Sequence, residues 1–141
     1  MSADDRLALQ ELNYKYAYYV DSFQPDAWAQ LFTPDGILNE SDFFPDALFE
    51  GRDAIRAYGV KISETVDNIV HLISNQLLLE LTPTRARGLA FCLVETMRKN
   101  GERIRFHVKY EDQFVKVGDS WLIANKTLRK SFPFENVRID E

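Results

Sequence analysis

The apolar positions of this chain change period partway along it. Leu7, Leu9, Leu12, Tyr16, Tyr19 and Phe23 recur about every 3.6 residues, which predicts a long amphipathic helix capped by Ser2 or Asp4. Pro25 opens a short helix over "PDAWAQLF" that Pro34, Asp35 and Gly36 end. "GILNE" then reads as a short strand, and "GRDAIRAYGVKISETV" as a third helix with Ile55, Tyr58 and Ile62 on one face. Between them "DFFPDALFEG" is a loop with five apolar side chains, too many to lie idle in water.

From Asp67 onward the period is two. "NIVHLISNQLLLEL", "RARGLAFCLVETMRK", "ERIRFHVKYEDQFVKV" and "SWLIANKTLRKSF" read as long strands. Turns at Thr82-Pro83-Thr84, Asn100-Gly101 and Gly118-Asp119 join them into an antiparallel meander. Helices first and strands afterward is an α+β order. The expected architecture is a cone-shaped α+β barrel: three N-terminal helices packed on a strongly curved, mainly antiparallel sheet that encloses a pocket. No linker or repeat divides residues 1–141, so one domain is expected.

Composition narrows the function. With 45% hydrophobic and 28% charged residues the chain is an ordinary globular one, and ten Phe, six Tyr and two Trp are enough to line a pocket as well as fill a core. A net charge of −5 argues against nucleic acid or an anionic membrane as partner. Cys92 is the single cysteine, so an intramolecular disulfide is excluded and a cysteine zinc site is not expected. "MSADDRLALQ" lacks the pattern of a signal peptide, and no apolar run approaches the roughly 20 residues of a membrane span, which gives a cytoplasmic expectation. There is no Gly-rich phosphate loop and no credible metal cluster, so neither cofactor nor metal is expected.

Three stretches together carry a resemblance: "VDSFQPDAWAQLFTPDG", "FEGRDAIRAY" and "YEDQFVKVGDSWLIANKTLRK". With this element order, the chain resembles the SnoaL-like branch of the nuclear-transport-factor-2-like superfamily from about Asp5 to Phe134. Within it the pattern is similar to scytalone dehydratase, lindane dehydrochlorinase and bile-acid dehydratase. The resemblance implies a cofactor-free enzyme working through an Asp at the end of the first helix and a His opening the first long strand. Asp21 and His71 stand in those places. Tyr16, five residues before Asp21, and Arg129 in the last strand match further positions of bile-acid dehydratase, and His107 falls near a second histidine of scytalone dehydratase.

The residues themselves allow plainer readings. Asp21 near a helix C-terminus, between Val20 and Phe23, opposes the helix dipole and needs a partner if buried; otherwise it is a solvated loop acid. His71 between Val70 and Leu72 is either a satisfied strand histidine or a base, since imidazole ordinarily titrates near neutrality. Tyr16 belongs to the apolar helical stripe, yet a buried phenol needs a hydrogen-bond partner, which a substrate oxygen would supply. Strand alternation from His71 places Asn75 on the same face as a polar pocket neighbour, with Leu77 and Leu79. Alternation from Trp121 places Arg129 on a pocket wall as an anion clamp; its plain reading is an exposed edge residue. Trp28 and Tyr110 are candidate substrate contacts. A two-residue turn at Gly118-Asp119 pairs Arg129 with Val108, so without a bulge only one of His107 and Arg129 points inward, and Phe106, Tyr110, Phe114 and Trp121 favour the Arg129 face. Glu40 reads as a solvated strand-end acid, although ketosteroid isomerase carries its base at about that position.

The favoured expectation is a lyase of dehydratase or dehydrohalogenase type acting on a small, ring-sized hydrophobic substrate, with His71 as base. The rivals are an isomerase or epoxide hydrolase in the same pocket, with Glu40 or Asp21 as base, and a non-catalytic subunit like the small subunit of ring-hydroxylating dioxygenases. A second sheet face carrying Leu78, Leu89, Phe91 and Leu93 invites a homodimer or homotrimer.

Overall fold

The computed structural model describes residues 2–131 and the backbone of residues 136–138. The end of the expected last strand at Phe132, and Phe134 at the end of the family resemblance, lie outside the described residues. Helix α1 spans Ala3–Asp21; the Ser2 side chain accepts the Asp5 amide at its start, and Asp4 and Asp5 sit at the positive end of its dipole. Leu9, Leu12, Tyr16 and Val20 are its buried stripe, joined by Asn13, whereas Leu7 is exposed. Helix α2 is the single turn Pro25–Ala29, with proline at the first position. Strand β1, Phe32–Asn39, begins earlier than expected, and a register break between Phe32 and Ile37 absorbs Pro34 and Gly36. The apolar loop contributes a short strand β2, Leu48–Glu50, before helix α3, Arg52–Thr65. Gly59 of α3 is packed so closely on α2 that a Cβ there would stand 2.9 Å from the Pro25 side chain and 3.1 Å from Trp28.

The long strands follow: β3 Val66–Leu81, β4 Arg85–Arg98, β5 Arg103–Val117 and β6 Ser120–Lys130, then a short β7, Asn136–Arg138, on β5. The sheet order is β2-β1-β6-β5-β4-β3. All neighbours are antiparallel except β1 and β6, which run parallel. The sheet is therefore mixed and open, with β2 and β3 at its edges, rather than closed into a barrel. The fold class is α+β, with the helices on one face of the sheet. Along β4 and β5 alternation is regular: Ala86, Ala90, Cys92, Val94, Phe106, Val108, Tyr110 and Phe114 face the helices and are buried.

Register shifts break that alternation elsewhere, and two of them decide where the polar side chains point. On β3 the register shifts between Ser74 and Leu77, and Asn75 sits there at φ 54°, a conformation that Asn tolerates better than most residues. On β6 the register shifts between the pairs Gln113–Asn125 and Phe114–Ile123, which leaves Ala124 as the extra residue.

Candidate functional site

A cavity of about 1120 Å³ lies between the helices and one end of the sheet, lined mainly by apolar side chains such as Val20, Phe43, Phe49, Ile69, Val94, Phe106 and Leu128. The loop after β1 forms part of its wall: Phe43 and Phe44 pack on Phe106 with ring centroids 5.9 and 5.8 Å apart. Phe43, Phe44, Ala47 and Phe49 of that loop all line the cavity, while Leu48 is exposed.

Asp21 ends α1 and His71 lies on β3, and the two meet at the cavity. Asp21 Oδ1 is 2.6 Å from His71 Nδ1, and Asp21 Oδ2 accepts the His71 backbone N–H at 2.9 Å. A carboxylate has no proton to give, so Nδ1 carries the hydrogen and Nε2 is left as the basic nitrogen. Two donors thus compensate a charge that the C-terminus of α1 would otherwise disfavour. The His71 side chain is 10% exposed and lines the cavity, while Asp21 stands behind it. Holding both backbone and ring of His71 from one carboxylate fixes the imidazole plane and tautomer together.

Tyr16 also lines the cavity, its ring edge-on to His71 at 6.2 Å and packed on Trp28 at 5.5 Å. No described protein group hydrogen-bonds its hydroxyl, and burial pushes the phenol well above its ordinary pKa, so it stays a neutral donor. Trp28 lines the cavity as well.

The other expected contacts lie elsewhere. Arg129 is exposed on the outer sheet face, where its guanidinium donates to Glu111 at 2.9 Å. The Ala124 bulge pairs it with Lys109 instead of Val108, on the face that also carries His107. Both residues therefore point away from the cavity, which corrects the expectation for each. Asn75 is exposed at the β3 bulge, and Gln76 takes the inward position in its place. The same shift turns Leu78 inward onto the core and leaves Leu77 and Leu79 exposed. Tyr110 is buried beneath Tyr16, ring centroids 5.8 Å apart, and does not line the cavity; its hydroxyl lies beside the Cys92 thiol.

Two buried polar features run against or beyond the sequence expectation. Glu40, expected in solvent, is 8% exposed and lines the cavity, where its carboxyl receives the Tyr58 hydroxyl at 2.7 Å. Burial pushes Glu40 up to about 7, against the lowering effect of the Tyr58 hydrogen bond. Beneath the cavity the β6 bulge turns Lys126 inward, fully buried, with its ammonium 2.9 Å from Asp112 and 3.8 Å from the centre of the Tyr110 ring. Burial lowers its pKa and Asp112 opposes the shift. Lys126 also donates to Asn13 at 2.8 Å, and Asn13 in turn donates to Gln76 at 2.9 Å. Among the described residues no group of three or more His, Cys, Asp or Glu gathers to hold a metal ion. No described helix is long and apolar enough to cross a membrane.

The family model for the SnoaL-like domain matches residues 1–127. No curated protein sequence matches the chain. Solved structures do. A Novosphingobium aromaticivorans protein described provisionally as an aromatic ring hydroxylase is 21% identical, with 99% of this chain and 96% of that chain covered and a TM-score of 0.90. A second protein of that organism, described provisionally as a scytalone dehydratase, is 21% identical over 97% of this chain and 89% of its own, with a TM-score of 0.85. The hexachlorocyclohexane dehydrochlorinase LinA-type3 of Novosphingobium barchaimii is 14% identical over 96% and 90%, with a TM-score of 0.82. At these identities the likeness is one of fold.

Proposed function

The chain belongs to the SnoaL-like domain family, and from that premise we propose that it is a cofactor-independent lyase of dehydratase or dehydrohalogenase type. His71 Nε2 takes a proton from a carbon next to an activating carbonyl. The C–H electrons enter the enolate, and the neighbouring carbon releases hydroxide or halide with its bonding electrons. Asp21 orients the imidazole and stabilises the imidazolium that forms, and Tyr16 donates to the oxygen on which the enolate charge develops. The substrate is a hydrophobic ring compound, since the cavity is largely apolar with few polar groups.

The observation that carries this reading is the 2.6 Å contact between Asp21 and His71, with the imidazole on the cavity wall. A protein that only bound a ligand or braced a partner would have no use for a base held in one tautomer. For that reason the dehydratase and dehydrochlorinase neighbours inform the function here more than the hydroxylase neighbour does. A specific observation also favours a second reading, an isomerase with Glu40 as base, because that carboxyl is buried in the same cavity. The experiment is a screen of the purified protein against cyclic alcohols and halides with an acidic neighbouring C–H, followed by mass spectrometry. Loss of water or hydrogen halide supports the lyase; a product of unchanged mass with a shifted double bond supports the isomerase.

A further inference from the structure

Elimination of water poses a problem that elimination of halide does not: hydroxide is a poor leaving group and needs a proton as it departs. The dyad supplies a base, and a base alone does not solve this. The cavity holds a second centre that does. Glu40 immediately follows β1, its backbone N–H donates to Ala47 at 2.7 Å, and its carbonyl accepts from Phe43 and Phe44, so the turn holds the residue in place. Its carboxyl has Tyr58 as its one hydrogen-bond partner among the described residues, and Tyr58 is itself fixed by stacking on Phe49 at 4.1 Å. The second carboxyl oxygen is left for a ligand. Tyr16, edge-on to His71, lines the same cavity as Glu40, so a molecule bound there has both centres on its walls.

We propose that Glu40, positioned by Tyr58, is the general acid that protonates the departing oxygen, so that the pocket is built for β-hydroxy carbonyl substrates. The inference rests on the elimination reading above. In the step, His71 Nε2 gains the α-proton, the enolate forms the new double bond as the C–O bond breaks, and the oxygen takes the Glu40 proton and leaves as water. Imidazolium and carboxylate remain, and one proton passing between them through solvent restores both. The Tyr58 hydroxyl donates to the buried carboxylate that forms and offsets part of its desolvation. Burial keeps a large share of Glu40 protonated near neutrality. The other ionisable groups lining the cavity with it are Lys61 and Glu64 on α3, Asp46 in the turn, His71 on β3, Arg98 at the end of β4 and Lys99 in the turn after it, and Arg98 also acts on Tyr58.

The test compares 3-hydroxy-1-decalone with 3-chloro-1-decalone, which give the same conjugated enone, using the full-length protein. Glu40→Gln should lower the ratio of water elimination to chloride elimination by about 10²-fold, because chloride needs no proton. His71→Gln should lower both rates together and leave the ratio unmoved. Equal losses in Glu40→Gln overturn the acid role while sparing the dyad; retention of both rates in His71→Gln overturns the dyad itself. Water elimination should fall as pH rises through about 7. Tyr58→Phe should move that limb to higher pH, since it removes a hydrogen bond that favours the carboxylate. Because both eliminations need His71 as base, the acid role is read in their ratio, and a ratio of water to chloride elimination that rises with pH there would overturn the proposal. Carboxyl carbon NMR, with Glu40 assigned by Glu40→Gln, reads the same titration without substrate, and a Glu40 fully ionised at about pH 6 overturns it.

Discussion

Removing the Lys126 ammonium while keeping its length, as in Lys126→Met, is the substitution with the largest expected cost to the fold. Lys126 and Asp112 have side chains 0% and 1% exposed, so neither charge can turn to water when its partner is lost. Lys126→Met leaves the Asp112 carboxylate with only the Asn13 amide at 3.3 Å, and strands the Asn13 carbonyl that Lys126 had satisfied. Breaking a buried pair from one side costs about 3–5 kcal/mol, and for a chain of this size that lowers Tm by roughly 10–20 °C. Asp112→Leu should cost a similar amount by stranding the cation beneath Tyr110. The double variant removes both charges and leaves mainly the Asn13 carbonyl unpaired, a cost of about 1–3 kcal/mol. The two single losses should therefore exceed the double loss by at least about 2 kcal/mol in a double-mutant cycle. Urea unfolding with matched m values measures all three. A Lys126→Met protein within about 1 kcal/mol of wild type, or strictly additive losses, would refute the assignment of this pair as a coupled buried unit.

Three further outcomes follow from the same structure. Glu40 has a folded-state pKa of about 7 against an ordinary 4.5, so its contribution to stability is complete below about pH 4.5 and is lost as pH rises through 7. Glu40→Gln should therefore gain stability relative to wild type by up to roughly 3 kcal/mol between pH 4 and pH 8, measured by urea midpoints; a constant difference would contradict this. Tyr16→Phe breaks no described protein hydrogen bond, so it should leave stability within about 0.5 kcal/mol while lowering kcat about 10²-fold with KM little changed. Finally, the outer face of the β3–β4 edge exposes Val70, Leu72, Leu77 and Phe91; we expect it to be covered in a homodimer or homotrimer, and Leu72→Glu should lower the mass measured by sedimentation equilibrium towards 16.4 kDa.

Much of the fold was legible because it is written in periodicity. The α1 stripe, the proline that starts α2 and the turns at Asn100-Gly101 and Gly118-Asp119 are local signals that packing did not override. The parallel pairing of β1 with β6 was not legible, because it joins strands far apart in sequence. The geometry around His71 was legible for a reason of position: Asp21 ends a helix, and His71 lies in the stretch from Asn68 to Ser74 where pairing with β4 is unbroken and strand parity holds. Beyond each bulge parity inverts. One unpaired residue at Ala124 sends Arg129 to solvent and Lys126 into the core, and the distortion at Asn75 exchanges Asn75 for Gln76. Nothing in an alternating pattern of side chains marks where such a residue is inserted, although an Asn inside a long strand is a residue that tolerates positive φ. Glu40 was misread for another reason: its burial comes from the Phe43–Phe44 turn folding over it, a tertiary effect.

The central claim is that His71 is a base oriented by Asp21, and proton abstraction alone tests it without any leaving group. Exchange of the α-protons of 1-decalone in D₂O, followed by proton NMR, reads that step for wild type, Asp21→Asn, His71→Gln and the double variant. Asp21→Asn should lose on the order of 10⁴-fold, as in a comparable carboxylate–imidazole pair, since an amide can hold the imidazole in the wrong tautomer. His71→Gln should lose as much, and the double variant little more than either, because the two residues act as one unit. Exchange at the wild-type rate in both single variants, or losses that multiply in the double, would contradict the account.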